Sequence, residues 1–195
     1  MRPIVTLNDP DAELLRRRSR PVPAVDGAIR RLVADMAVTM RHANGVGLAA
    51  VQIGVPLRVL VADTGRGLLA LVNPRLRRGS RTNVDDEGCL SVPGVVVPVR
   101  RALRVTVQGT LVTGRRVGLR ASGFIARILQ HEVDHLNGVL FLDRARGARV
   151  RRGAARAGAT SGIRRPSRAR PADRWRGSAL AVAASARRRP GRPSR

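Results

Sequence analysis

Residues 131–141 read HEVDHLNGVLF, and the run leading into them, residues 122–130, reads SGFIARILQ. Ser122 belongs to the residue types that cap helix N-termini, and Asn137-Gly138 is a helix stop, so the spacing predicts a helix ending near Leu136. On such a helix His131 and His135 stand four apart, one turn from each other on one face, with Glu132 beside the first. This is the HExxH pattern, which holds a hydrolytic metal and sets a carboxylate within reach of a water on it. One protease class extends the pattern with a glycine and a third histidine. Gly138 matches that extension, but Phe141 stands where the histidine would be and cannot bind a metal.

The third ligand therefore has to come from elsewhere. After His135 the chain has no His, Cys or Glu, only Asp143 and Asp173, which disfavours a protease that takes its third ligand downstream. Upstream, His42, Glu87, Cys89 and scattered aspartates stay open. Cys89 lies in Glu87-Gly88-Cys89-Leu90-Ser91, expected to be a polar turn, and a lone cysteine can equally be an inert small hydrophobe. Asn44–Gln52 reads NGVGLAAVQ, expected to be a helix C-cap followed by a tight turn into a strand.

The remaining elements set the fold class. Asp26 caps an expected helix running to about Ala43, with Ile29, Val33, Met36 and Met40 at helical spacing. Strand-like runs follow at Leu57–Ala62, Leu68–Val72, Val95–Val99, Leu103–Val107 and Leu111–Val112. Gly109 and Asn73-Pro74 punctuate them, which points to antiparallel pairing. Helix, strands, helix is an α+β order: antiparallel strands packed around a C-terminal helix that carries HExxH, with an N-terminal helix.

Composition divides the chain. Every one of its 38 basic residues is arginine, and 43% of residues are apolar, enough for one ordinary core. Residues 1–143 carry 21 Arg against 12 acids, whereas residues 144–195 carry 17 Arg against Asp173 alone. That shift predicts a folded domain over residues 1–144 and, over 145–195, a disordered Arg/Ala/Pro-rich tail with too little apolar surface to offset ordering. ALAVAASA at 179–186 falls far short of the ~20 apolar residues of a membrane span, and the N-terminus lacks a signal-peptide core. One cysteine excludes an internal disulfide framework, so the expectation is a cytoplasmic protein.

Three blocks in order, GVGLAAVQ, EGCLS and QHEVDH, resemble the peptide deformylase family, and with HLNGVLFLDR the likeness runs from about Arg2 to Arg144. The resemblance implies a metal-dependent hydrolase that removes the N-formyl group from the first methionine of new polypeptides. It implies Cys89, His131 and His135 as ligands of one ion, iron(II), with zinc, nickel or cobalt as other occupants. Glu132 becomes the general base, and the Gln52 side chain and Leu90 N–H become donors to the oxyanion. Gly45 and Gly47 would lie along the peptide, and Ile128 and Leu129 would line the methionine slot. Phe141 then merely packs the end of the motif. Val51 replaces a proline common in the family and changes loop stiffness, not chemistry. The expected partners are formylmethionyl nascent peptides and, through the basic tail, the ribosome; the expected state is a monomer. The rival readings are an HExxH metalloprotease and a ribosome- or nucleic-acid-binding protein with a vestigial metal site. Arg100 or Arg101 could meet the substrate beyond the methionine, but read better as solvated charges at a strand end; Asp134 could orient a histidine, but reads better as an exposed acid.

Overall fold

A computed structural model describes residues 1–77, 79 and 81–145, with the backbone of 151–152; the expectation of a disordered tail lies outside the described residues. The first long helix, α1, spans Gly27–His42. The Asp26 carboxylate accepts the Ile29 N–H at 2.9 Å, satisfying a donor the helix cannot satisfy itself. Its stripe of Ile29, Val33, Met36 and Met40 is buried, as the spacing predicts. The chain leaves α1 through Asn44, at φ +52°, and the Gly45 N–H returns to the Met40 carbonyl.

Five antiparallel strands form the central sheet: β1 (Gly47–Ala49), β2 (Val59–Asp63), β3 (Leu68–Arg77), β6 (Arg104–Thr110) and β7 (Arg116–Ser122), in the order β1-β2-β3-β6-β7. A second sheet joins β4 (Thr82–Cys89), β5 (Val92–Ala102) and β8 (Arg151–Arg152). The HExxH helix, α2, spans Gly123–Leu136, and a single turn, α3, spans Phe141–Arg144. No helix among the described residues is long and apolar enough to cross a membrane.

Alternation along β2 explains the layering. Leu60 and Ala62 join the core under α2, with Ile125, Ile128, Leu129 and Leu136. Val59 and Val61 join the core under α1, with Met36 and Met40. A strand buried on both faces has to read as a continuous apolar run, and VLVA does. Each fully buried Leu or Met contributes about 1.5–3 kcal/mol, so the two helices clamp the sheet from opposite faces. A third cluster, Cys89, Val92, Val97, Val99 and Phe141, joins the second sheet to α3.

Several sequence expectations need correction. Leu111–Val112 is not a strand; it opens the turn between β6 and β7, where Gly114 takes φ +86°. The strand lies later, in β7, whose RVGLRAS combines exposed arginines with glycine and acquires strand geometry by pairing with β6. The run Leu68–Val72 does not stop at Asn73-Pro74. The chain bulges there, between Val72 and Arg75, and β3 continues. Asn73 holds the bulge by pairing both amide atoms with the Val22 backbone, each at 2.8 Å. NGVGLAAVQ is not a cap and turn alone. Gly47–Ala49 pairs with β2, and Ala50–Ile53 forms a 3-10 turn. In EGCLS, residues 87–89 end β4 and only Leu90-Ser91 turn. Ser122 occupies the N-cap of α2, yet its side chain makes no capping hydrogen bond.

Candidate metal centre

Three elements supply the centre. On α2, His131 and His135 stand one turn apart, their rings edge to face with centroids at 4.9 Å. Cys89 arrives at the end of β4, just past the register shift between Gly88 and Cys89 that breaks the ladder with β5. Its Sγ lies 3.2 Å from His135 Nε2, which lies 3.2 Å from His131 Nε2. All three residues are buried, and their donor atoms lie within 4.8 Å of one another. A tetrahedral metal with bonds of about 2.0–2.3 Å spaces its ligands by roughly 3.3–3.7 Å, so this donor set fits such an ion closely. His42, the other upstream candidate, is exposed at the end of α1 and takes no part.

Glu87 stands behind the three candidate donors and joins them to a buried charge network. It is wholly buried and its Oε2 lies 3.1 Å from His131 Nδ1. A carboxylate acceptor there fixes the proton on Nδ1 and leaves Nε2 free to ligate. Arg101 grips Glu87 with a fork of two 2.9 Å bonds, and Arg127 adds a third at 2.6 Å. Arg101 also reaches Asp134, which Arg144 pairs at 2.8 Å. Burial alone would raise the Glu87 carboxyl, but the His131 ring and the Arg101 guanidinium hold it well below the usual range. Arg101 responds in kind: burial opposes its charge, and Glu87 and Asp134 more than restore it.

Two sequence readings fail here. Arg101 is 5% exposed and Asp134 is 6% exposed, so neither is the solvated charge expected; each is satisfied inside the protein by the other. Sequence reasoning also passed over Arg127. The available signal was spacing: Arg127, His131 and Asp134 stand at i, i+4 and i+7, on one face of the helix.

Around the donors lies a small cavity of about 10 Å³, lined by Gly45, Gly47, Gln52, Leu90 and Glu132 among others. Burial pushes the Glu132 carboxyl up to about 7, His131 countering it only in part. Its Oε2 is buried with no hydrogen-bond partner among the described residues. The His135 ring is held neutral by burial and by the neighbouring His131. Burial pushes His131 down, yet its bonds to Cys89 and Glu87 outweigh that and raise it to about 10. Gln52 is oriented by the Ala49 N–H, which its Oε1 accepts at 2.8 Å. Its Nε2 then donates to Ser91 Oγ at 3.2 Å and faces Cys89 Sγ at 3.6 Å. Gly47 is required by the close approach: a Cβ there would stand 2.3 Å from Glu132 Oε1 and 2.8 Å from Ile128 Cγ2. Of the expected slot residues, neither lines the cavity: Ile128 and Leu129 are both fully buried in the core beneath it, Ile128 reaching up against Gly47. Phe141 packs 5.9 Å from the His131 ring, as an apolar residue closing the motif.

Known proteins share this arrangement of sequence and fold. The chain is 46% identical over 146 residues to a peptide deformylase of Pelotomaculum thermopropionicum, covering 75% of this chain and 92% of that one. It is 44% identical over 149 residues to a peptide deformylase of Bartonella henselae, covering 73% and 83%. Among solved structures, the peptide deformylase of Thermotoga maritima superposes with a TM-score of 0.70 at 41% identity, over 74% of this chain and 97% of that one. A deformylase from Synechococcus elongatus, solved in complex with actinonin, gives 0.70 at 39% identity, over 74% and 78%. The polypeptide deformylase family profile matches residues 1–151, and the chain belongs to that family.

Proposed function

We propose that this peptide deformylase hydrolyses the N-formyl group from the first methionine of nascent chains, with one iron(II) ion held by Cys89, His131 and His135. The observation that carries the reading is the convergence of those three buried donors beside Glu132, whose Oε2 has no hydrogen-bond partner among the described residues. One thiolate and two imidazoles suit iron, zinc, nickel or cobalt, and the family resemblance favours iron. When bound, the metal supplies Lewis acidity, which makes water nucleophilic near neutral pH and polarises the formyl carbonyl. The chain does the rest. Glu132 accepts the proton of the attacking water and delivers it to the departing amine. Gln52 Nε2 and the Leu90 N–H donate to the oxygen that gains charge, each such donor being worth about 3–4 kcal/mol.

Recognition follows from the same geometry. β1 is an edge strand of the central sheet, so the peptide adds beside Gly45 and Gly47 as a further strand. A cavity this narrow admits formyl and excludes larger acyl groups. Ile128, backed by Leu129, supplies the apolar wall for the methionine side chain. The protein works in the cytoplasm as a monomer, and residues 145–195 meet the ribosome by charge.

The deciding experiment pairs metal analysis with hydrolysis of formyl-methionyl and acetyl-methionyl peptides. One metal per chain and turnover of the formyl peptide alone are expected. Cleavage of an internal bond in an unformylated peptide would instead make the chain a metalloprotease.

A further inference from the structure

A second cavity, of about 1300 Å³, shares no lining residue with the one beside Cys89. Among the described residues, Arg18, Arg20, Arg58, Arg75 and Arg116 wall it, and no acidic or aromatic residue does. Backbone pairing builds the wall: the Arg20 N–H donates to the Pro56 carbonyl and the Arg58 N–H to the Arg20 carbonyl. Arg75 falls at the end of the β3 bulge, and Arg116 begins β7.

Among the described residues, none of the five arginines is in an ion pair. Arg58 bonds only to uncharged acceptors: the Leu136 and Pro74 carbonyls and the Asn137 side chain. Its pKa is lowered by burial and by the facing charges of Arg18 and Arg75, so the positive charges here oppose one another without compensation. Ser19 adds an independent sign. It lines the same cavity, is 3% exposed, and its Oγ has no hydrogen-bond partner among the described residues.

We propose that this groove binds the phosphate backbone of duplex RNA. Guanidinium forks match phosphate oxygens in pairs, and a phosphate run would relieve the repulsion among Arg18, Arg58 and Arg75. The groove exceeds the roughly 300–1,000 Å³ of small-molecule sites, which argues for a polymer over a single anion. Unpaired strands are held by bases stacked on aromatic rings, and the groove has none among its described residues, which argues for a duplex. The choice of RNA rests on the reading above, that the substrate is a chain leaving the ribosome. Because the groove and the metal centre share no residue, RNA can be held while a peptide is processed.

The test uses the full chain and a 16-base-pair RNA duplex, with affinity followed against salt. The triple variant Arg18→Ala, Arg75→Ala, Arg116→Ala removes three exposed groove charges. Arg30→Ala, Arg31→Ala, Arg41→Ala removes three exposed charges from α1 and serves as the control. The groove variant should reduce the salt slope of log Kd by about 2–3 and weaken binding at least about ten-fold at low salt. The control should change both far less, and both variants should deformylate a short formyl-methionyl peptide like the parent. Equal losses in the two variants would overturn the proposal, since the effect would then be general charge. In the parent protein, the duplex should also protect Arg18, Arg75 and Arg116 from an arginine-specific dicarbonyl reagent. Absence of protection overturns the groove as the site, and equal protection by millimolar inorganic phosphate overturns its assignment to RNA. Failure of peptide hydrolysis in the parent would bear on the proposed reaction alone, because none of these binding readouts depends on turnover.

Discussion

Cys89, a lone cysteine in the sequence, meets His131 and His135 only because β4 ends beside α2. Cys89→Ala should purify with little metal and no deformylase activity. Full metal and activity in that variant would remove Cys89 from the ligand set. Glu132→Gln should behave differently, because the amide keeps the shape but cannot accept a proton. Metal content should hold while kcat falls by about 10²-fold or more, the usual scale of general-base loss. Near-parent turnover would reassign the base. Gln52→Leu separates a third contribution: it removes the Nε2 donor, so kcat should fall about 10²–10³-fold with metal retained.

Between elements, the tightest fit in the site is that of β1 against α2. A Cβ on Gly47 would overlap the Glu132 carboxylate and crowd Ile128. Gly47→Ala should therefore retain metal, since no ligand is touched, and lose most turnover as Glu132 is displaced. Parent-like kcat would mean that Glu132 does not work from the position it occupies here. Gly138 makes the corresponding demand at the other end of α2. It takes φ +74°, and a Cβ would stand 2.2 Å from the Arg16 carbonyl oxygen. Gly138→Ala should lower Tm by several degrees through left-handed strain and backbone overlap.

At the scale of the whole molecule, Glu87 ties β4, β5 and α2 together through Arg101, Arg127 and His131. Removing one partner from a buried charge network leaves the others uncompensated, a loss of about 3–5 kcal/mol. Glu87→Gln should accordingly unfold at markedly lower urea concentration and bind metal more weakly, because one amide oxygen cannot replace the two charged acceptors shared by Arg101, Arg127 and His131. Unchanged urea midpoint and metal affinity would reduce the network to a passive cluster. β8 pairs with β5 at Val95 and Val96, beyond the expected boundary at Arg144. Truncation after Arg152 keeps that pairing, and should leave hydrolysis of a short formyl peptide intact while weakening ribosome binding at low salt.

The sequence by itself determined whatever depends on local period and on residue chemistry. The cap at Asp26, the stripe of α1, the span of α2 and the one-turn spacing of His131 and His135 are all written in neighbouring residues. The motif blocks added a family likeness, and with it the expectation that Cys89 is a ligand. What only the tertiary structure decided is everything that depends on a partner distant in the chain. β7 is a strand because β6 pairs with it, and Asn73-Pro74 is a bulge because Val22 meets it there. Arg101 and Asp134 look like surface charges because charge alone favours water; they are buried because each finds the other, with Glu87 and Arg127, inside the fold. A charge leaves water when opposite charges and hydrogen bonds replace its hydration, and no linear reading of the chain shows where those replacements will stand.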